Sequence, residues 1–283
     1  MSDVSAKLVK ELRDRTNAGI MDCKKALVAT NSNIDEAVKW LKEKGMSDAA
    51  KKSSRTTSEG TVAVAVSDDK RIATIVEVKC ETDFVARNAD YKTAAGEFAK
   101  QFINETNPTT DSVVAKYGDK IKEMISKFGE NITVGEVGKL SVETGMVQQY
   151  IHGAGNIGVI AAFKTGKQDS ITKEDFVSMS MGVVMHIAAM NPEFLNRDEV
   201  SSAALEEQKQ VLMVQAKESG KPDNVIEKMV MGQLSKFYAE VCLLEQPFVK
   251  DQKRKVSDTI ADAAKKIGDE ITLVKYIRFQ LGE

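Results

Sequence analysis

TVAVAVSDDKRIATIVEVKC, residues 61–80, carries the switch from helical to extended patterning in this chain. From Thr61 to Val66 the residues alternate with period two, the spacing at which neighbouring side chains point to opposite faces of a sheet. Ser67, Asp68, Asp69 and Lys70 supply a turn, and Arg71–Cys80 reads as the returning strand. Helical stretches follow at about 88–104 and 111–128, and Gly145–Phe163 repeats the strand–turn–strand pattern. The fold class is therefore α+β with antiparallel strands.

Upstream of the hairpin the period is helical. Val4, Leu8 and Leu12 stripe a first helix, which Asn17-Ala18-Gly19 breaks. A second helix covers about Met21–Ala29. Asn33 and Glu36 form a capping-box-like pair ahead of Ile34, Ala37, Val38 and Leu41, and Gly45 fits the C′ position of this third helix. Residues 1–46 thus read as a three-helix domain with a thin core, a kind of unit that presents a surface more often than it catalyses. Residues 47–60 are polar and read as a linker.

Downstream, Thr172–Met190 is a helix with Thr172 as its cap and Phe176, Met179, Val183 and Ile187 on one face; Asn191-Pro192 ends it. Residues 199–219 and 222–238 read as an antiparallel helical arm. Gly220 closes its first helix and Pro222 opens the second, while Ile226, Met229, Val230 and Phe237 form the return stripe. Two runs recur in the same order. Glu77–Val85 (EVKCETDFV) resembles Glu240–Val249 (EVCLLEQPFV), and Phe128–Val134 (FGENITV) resembles Ile267–Leu273 (IGDEITL). The core is expected to be two related α+β subdomains, 61–143 and 144–198 with 236–283, and the arm, 199–235, an insertion in the second.

Composition removes several function classes. There are 40 basic and 42 acidic side chains, a net charge of -2, so no global field draws the chain to nucleic acid or an anionic membrane. Cys23, Cys80 and Cys242 are odd in number and widely spaced, a poor disulfide framework that fits a reducing compartment. No pair has C-x-x-C spacing, and His152 and His186 are the only histidines, so neither a metal site nor a bound cofactor is expected. The N-terminus lacks the apolar core of a signal peptide, and no apolar run approaches the roughly 20 residues of a membrane helix. The expected compartment is the cytoplasm.

Gly153-Ala154-Gly155-Asn156-Ile157-Gly158 matches G-x-G-x-x-G, and a dinucleotide-dependent enzyme is the alternative reading it offers. That motif needs a helix to begin inside it. Here a strand-like run, Val159–Phe163, follows instead, which favours a hairpin. No phosphate-loop motif and no recognisable nucleophile motif is present, so the chain is not read as an enzyme. His186 lies inside a helix as a core or interface imidazole. His152 sits beside the hairpin glycines. Arg13, Lys24 and Lys25 make a solvated helix face. Thr82-Asp83-Phe84-Val85 leaves two readings open: Asp83 capping a turn with Phe84 in the core, or an aromatic wedge beside a carboxylate, projecting from a stiff sheet as interface anchors do.

LVKELRDRTNAGIMDCKKAL, residues 8–27, and Thr82–Val85 together resemble the signatures of the bacterial elongation factor Ts family. Phe128-Gly129-Glu130-Asn131, Tyr150–Gly153, Ser219–Pro222 with Glu227–Met229, and Glu245–Val249 continue the resemblance in order over essentially the whole chain. It implies a ubiquitin-associated-like N-terminal domain, two similar core subdomains and a helical hairpin. It also implies a guanine-nucleotide exchange factor that binds elongation factor Tu carrying GDP, displaces Mg²⁺ and promotes GDP release. Asp83 and Phe84, flanked by Thr82 and Val85, would intrude near the partner's Mg²⁺ and phosphate site. Ile20, Met21 and Lys24 would touch the nucleotide-binding domain, and Phe128, Gly129, His152 and Val241 would add core contacts. The arm's own occupant stays open between the partner and a second copy of this chain. Two departures stand out. Ile20 replaces a frequent Met, and the sequence closes at Arg278–Glu283 where many members carry a further helix, which implies either one partner contact fewer or a shortened chain.

Overall fold

A computed structural model describes residues 4–16, 18–217 and 222–282. Three helices come first: α1 (Ala6–Thr16), α2 (Ile20–Ala29) and α3 (Ile34–Lys52). Leu12, Cys23, Ala26, Leu27, Ala37 and Leu41 close a small core between them. Asn33 caps α3, its side chain accepting from the backbone N–H groups of Asp35 and Glu36 at 3.1 and 3.2 Å. Asn17, expected in the break after α1, lies outside the described residues.

Gly45 does not end α3, which continues through the first part of the expected 47–60 linker to Lys52. The glycine is instead a close-approach residue. A Cβ built on it would lie 3.1 Å from the Ser126 hydroxyl of a neighbouring helix, so the missing side chain lets α3 lie against the core. Ala49, beyond the expected boundary, is buried in the core cluster of the first sheet.

That first sheet has β1 (Glu59–Val66), β2 (Ile72–Cys80) and β3 (Thr133–Ser141) in the order β1-β2-β3, all antiparallel. Between β2 and β3 come the short α4 (Asp83–Arg87), α5 (Ala89–Gln101) and α6 (Thr110–Phe128). The second sheet, β4 (Gly145–His152), β5 (Ile157–Thr165) and β8 (Ile271–Gln280), has the equivalent order β4-β5-β8. Its flanking helices are α7 (Glu174–Met190) and α10 (Val256–Ile267), and a two-stranded ribbon, β6 (Pro247–Phe248) with β7 (Asp251–Lys255), precedes α10. Strand β3 was not assigned from the sequence, because Gly135 and Gly138 interrupt its alternation.

The two sheets pack face to face, with helices on both outer surfaces. The period-two pattern divides accordingly. Val62, Ala73, Ile75, Leu140, Val147, Ile160, Ala162 and Phe279 meet between the sheets. Ala63, Ala65, Val76 and Val78 face α5 and α6, and Val159, Ala161, Phe163 and Leu273 face α7 and α10. Central strands β2 and β5 are consequently buried on both faces and read as near-continuous apolar runs.

The internal similarity is half positional. In both halves the last helix ends on a left-handed glycine, Gly129 after α6 and Gly268 after α10, and the chain enters the sheet's third strand. The other pair of runs occupies different elements: Glu77 lies in β2, whereas Glu240 lies in a helix.

That helix belongs to the arm, formed by α8 (Ser202–Lys217) and α9 (Asp223–Val241). Pro222 is the N-cap of α9, and Gly220 lies outside the described residues. The arm's second helix runs to Val241, past the expected limit at 235, because its last turn is bonded to the core. The Val241 carbonyl accepts from the N–H groups of Glu193 and Phe194 at 3.0 and 3.1 Å. Thr172 also differs from expectation: it lies in a 3-10 turn, and Lys173 occupies the N-cap of α7. No described helix is long and apolar enough to cross a membrane.

Candidate functional site

Strand β2 ends at Cys80 opposite Glu59, the first residue of β1, so the chain beyond it leaves the sheet. Thr82 then starts α4, its hydroxyl accepting from the Val85 N–H at 3.4 Å. In that one-turn helix Ala86 points into the core and Phe84 points away. The Phe84 ring is 84% exposed, the most exposed large apolar side chain among the described residues. Of the two readings left open for this segment, a core-filling Phe84 is excluded. Asp83 pairs with Arg87 one turn on at 3.1 Å, an exposed ion pair on the same short helix as Phe84.

The turn that carries Phe84 is bonded to the loop between α6 and β3. Glu130 accepts from the backbone N–H groups of Glu81 and Thr82, both at 3.0 Å, and from the Thr82 hydroxyl at 2.6 Å. Glu81 returns the arrangement, accepting from the Asn131 N–H at 2.6 Å and from Arg55 at 3.3 Å. That backbone bond, with Arg55 beside it, holds the Glu81 carboxyl below its ordinary pKa. Asn131 in turn donates to the Arg55 carbonyl at 2.8 Å, so the end of the linker joins the same cluster. Burial pushes the Cys80 thiol up to about 11, a proton-holding thiol and no nucleophile.

Phe128 and Gly129 lie on that same loop. Phe128 is half-buried, packed edge-on to Tyr91 with ring centroids 5.3 Å apart, and Gly129 is exposed in a left-handed conformation. His152 ends β4 beside Gly153 and Gly155, with Nδ1 3.0 Å from the Tyr150 hydroxyl. These glycines form the β4–β5 turn. Strand β5 begins at Ile157, so no helix N-terminus is available to a pyrophosphate and the dinucleotide reading fails. Gly153 supplies a left-handed turn position in open space, and Gly155 and Gly158 serve packing. The Gly155 carbonyl accepts from the Val62 N–H at 2.7 Å, and a Cβ on Gly155 would stand 2.1 Å from the Thr61 hydroxyl.

The register gathers these groups. Glu59 pairs with Cys80, Thr133 with Lys79, and His152 with Ile157, which also pairs with Gln280. The bond from Val62, three residues into β1, to Gly155 sets the β4–β5 turn beside the start of β1, so the turns bearing Thr82–Val85, Phe128–Gly129 and His152 lie at one end of the two-sheet sandwich. Ile20, Met21 and Lys24 stand apart from them, exposed on α2 of the bundle. Val241 is half-buried at the root of the arm. His186 is fully buried in α7, bonded to Gln246 and to the Val249 N–H, the core imidazole expected of it.

Sequence reasoning missed Glu81 and Glu130. Glu130 stood inside the quoted run Phe128–Asn131, but nothing local ties it to Thr82, 48 residues earlier. The signal available was its place directly after a helix-ending glycine, in the turn that returns the chain to the sheet.

The family model described as Elongation factor TS matches residues 81–283. Across the full chain, a protein of Clostridium perfringens (strain SM101 / Type A) named elongation factor Ts is 43% identical over 287 residues, covering 99% of this chain and 93% of that protein. The Desulfovibrio desulfuricans protein of the same name is 39% identical, covering 99% of both chains. One from Clostridium kluyveri is 41% identical, covering 99% of this chain and 93% of its own.

Proposed function

The chain belongs to the elongation factor Ts family, the nucleotide exchange factors of elongation factor Tu in translation elongation, and we propose that it empties that GTPase's site by driving the Phe84 ring, with Asp83 beside it, toward the bound Mg²⁺ and phosphates. The observation that carries this reading is the 84% exposure of Phe84 on a short helix whose base is bonded at several points.

The physics asks for no general acid or base. GDP is held in such a GTPase by backbone N–H groups and by Mg²⁺, which offsets the phosphate charge. Moving the metal out of register exposes that charge and weakens the nucleotide. Coupling is reciprocal, so the factor loosens GDP only as far as GDP loosens the factor. A shift of about 10⁴-fold needs about 5.5 kcal/mol of differential contact. Burying one Phe is worth about 3–5 kcal/mol even in a well-packed core. One wedge therefore falls short, and further contacts have to share the load.

Phe128, Gly129 and His152, at the same end of the sandwich as Phe84, are the proposed second contact. Ile20 and Met21, exposed apolar residues beside Lys24 on α2, are the proposed third, gripping the partner's nucleotide-binding domain. Val241 at the arm's root is the fourth. On this reading the protein is a binding factor and not a catalytic enzyme, it works in the cytoplasm with the translation machinery, and it needs no cofactor of its own.

The test is release of fluorescent GDP from elongation factor Tu, with and without this protein. Wild-type protein accelerates release, and Phe84→Ala loses most of that acceleration. Wild-type-like acceleration by Phe84→Ala would sink the wedge.

A further inference from the structure

We propose that Glu130 is a positioning residue for exchange: its carboxylate is the mount that holds the Phe84 helix in its working direction. This rests on the wedge reading of Phe84 and adds the residue through which the wedge is kept stiff.

Beyond Cys80 the backbone has no strand beside it, since β1 starts opposite Cys80 and β3 starts opposite Lys79. The N–H groups of Glu81 and Thr82 need acceptors from elsewhere. Glu130 Oε2 takes both at 3.0 Å, and its other oxygen takes the Thr82 hydroxyl proton at 2.6 Å. That last bond sets the direction of the hydroxyl. With its proton committed to Glu130, the Thr82 oxygen offers a lone pair to the Val85 N–H and caps α4. The bonds form a relay from the α6–β3 loop, through Thr82, to the first turn of the helix that bears Phe84.

The relay matters because α4 has only five residues. A helix that short does not hold itself together in water. The Phe84 ring, exposed as it is, gains little packing of its own. Its direction therefore has to come from the cap and from what holds the cap. A loosely mounted ring would give up its contact energy to ordering when it met the partner, whereas a fixed one would not. The reciprocal bond from the Asn131 N–H to Glu81 closes the two turns on each other at 2.6 Å.

The experiment uses full-length protein at saturating concentration and reads the maximal rate of GDP release from elongation factor Tu. The proteins are wild type, Phe84→Ala, Glu130→Ala, Glu130→Gln, Thr82→Val and the double variant Phe84→Ala/Glu130→Ala. Glu130→Ala should lower the rate by about tenfold or more, the scale on which small misplacements of working groups act. Glu130→Gln keeps an oxygen for the two N–H groups but turns an amide NH2 toward the Thr82 hydroxyl, which loses its acceptor, so its rate should fall between wild type and Glu130→Ala. A rate as low as or lower than that of Glu130→Ala would count against the two backbone bonds as part of the mount. Thr82→Val changes only the hydroxyl and should fall with Glu130→Ala, which keeps the test decisive if Glu130→Ala unfolds. The double variant should be no slower than Phe84→Ala, since a mount has nothing to act through once the ring is gone. Wild-type-like rates for Thr82→Val or Glu130→Ala beside an impaired Phe84→Ala would overturn the proposal and leave the wedge standing. A double variant that multiplies the two losses would overturn it as well. A wild-type-like Phe84→Ala would remove the wedge and the mount together.

Discussion

The backbone N–H of Val62 donates to the carbonyl of Gly155 at 2.7 Å, tying the turn of one sheet to the edge strand of the other. The contact is backbone to backbone, and it needs a residue without a side chain. Gly155 has φ +107°, and a Cβ there would collide with the Thr61 hydroxyl. Gly155→Ala is expected to cost about 2 kcal/mol or more, combining a forbidden backbone region with overpacking. Gly153, two residues away at φ +61° with open space around it, is the control. Gly153→Ala should cost only about 1–2 kcal/mol, the left-handed penalty alone. Chemical denaturation of both variants checks the order; equal losses would contradict the packing account.

Phe84→Ala should leave stability within about 0.5 kcal/mol of wild type, because the ring is in solvent and truncating it opens no cavity. Phe102→Ala, which deletes a fully buried ring of the first core cluster, should cost about 3–5 kcal/mol. The pair of melting curves separates a surface tool from a core residue of the same chemistry.

Gly45→Leu tests how the bundle is joined to the core. The close approach of α3 to Ser126 leaves no room for a branched side chain. Overpacking of this kind costs about 1–3 kcal/mol. We expect α3 to be pushed off α6 and the 46–58 segment to become more open to proteolysis, with both cores still folded. Unchanged proteolysis would mean that the two helices do not depend on this contact.

His186 gives stability a pH dependence with a defined sign. The Val249 N–H donates to Nδ1 at 3.1 Å, so the ring proton sits on Nε2 and is donated to Gln246 at 2.8 Å. Burial lowers the pKa of this ring from its ordinary 6.5, so the folded state holds it neutral. The unfolded chain binds the proton more readily. The contribution is therefore fully present above 6.5 and is lost as pH falls through the window below it. Melting temperatures at about pH 7.5 and about pH 5.5 should show a drop for wild type that His186→Gln reduces. An equal drop in both proteins would assign the effect to other groups.

Local pattern in the sequence was enough for the α+β class, the first hairpin, the three N-terminal helices and the two-helix arm, because side-chain period and capping chemistry act within a few residues. It also marked Thr82–Val85 as a segment of interest. It left open which way Phe84 points, since an aromatic after a strand suits a core and a surface equally. The expected stop at Gly45 was mistaken for a related reason: a glycine that ends a helix and one that lets another helix come close are the same letter. Strand β3, with glycines at 135 and 138, carries no alternation to read, and its place beside β2 depends on pairing with residues about 60 positions earlier.

Only the tertiary structure decided how the two sheets lie on each other, that Gly155 and Gly158 serve packing against β1, and that Glu130 reaches the N–H groups of Glu81 and Thr82. The physical reason is common to all three. Each is a contact between segments far apart in the chain, and its geometry is set by how whole faces pack, whereas sequence period reports only which face a residue is on.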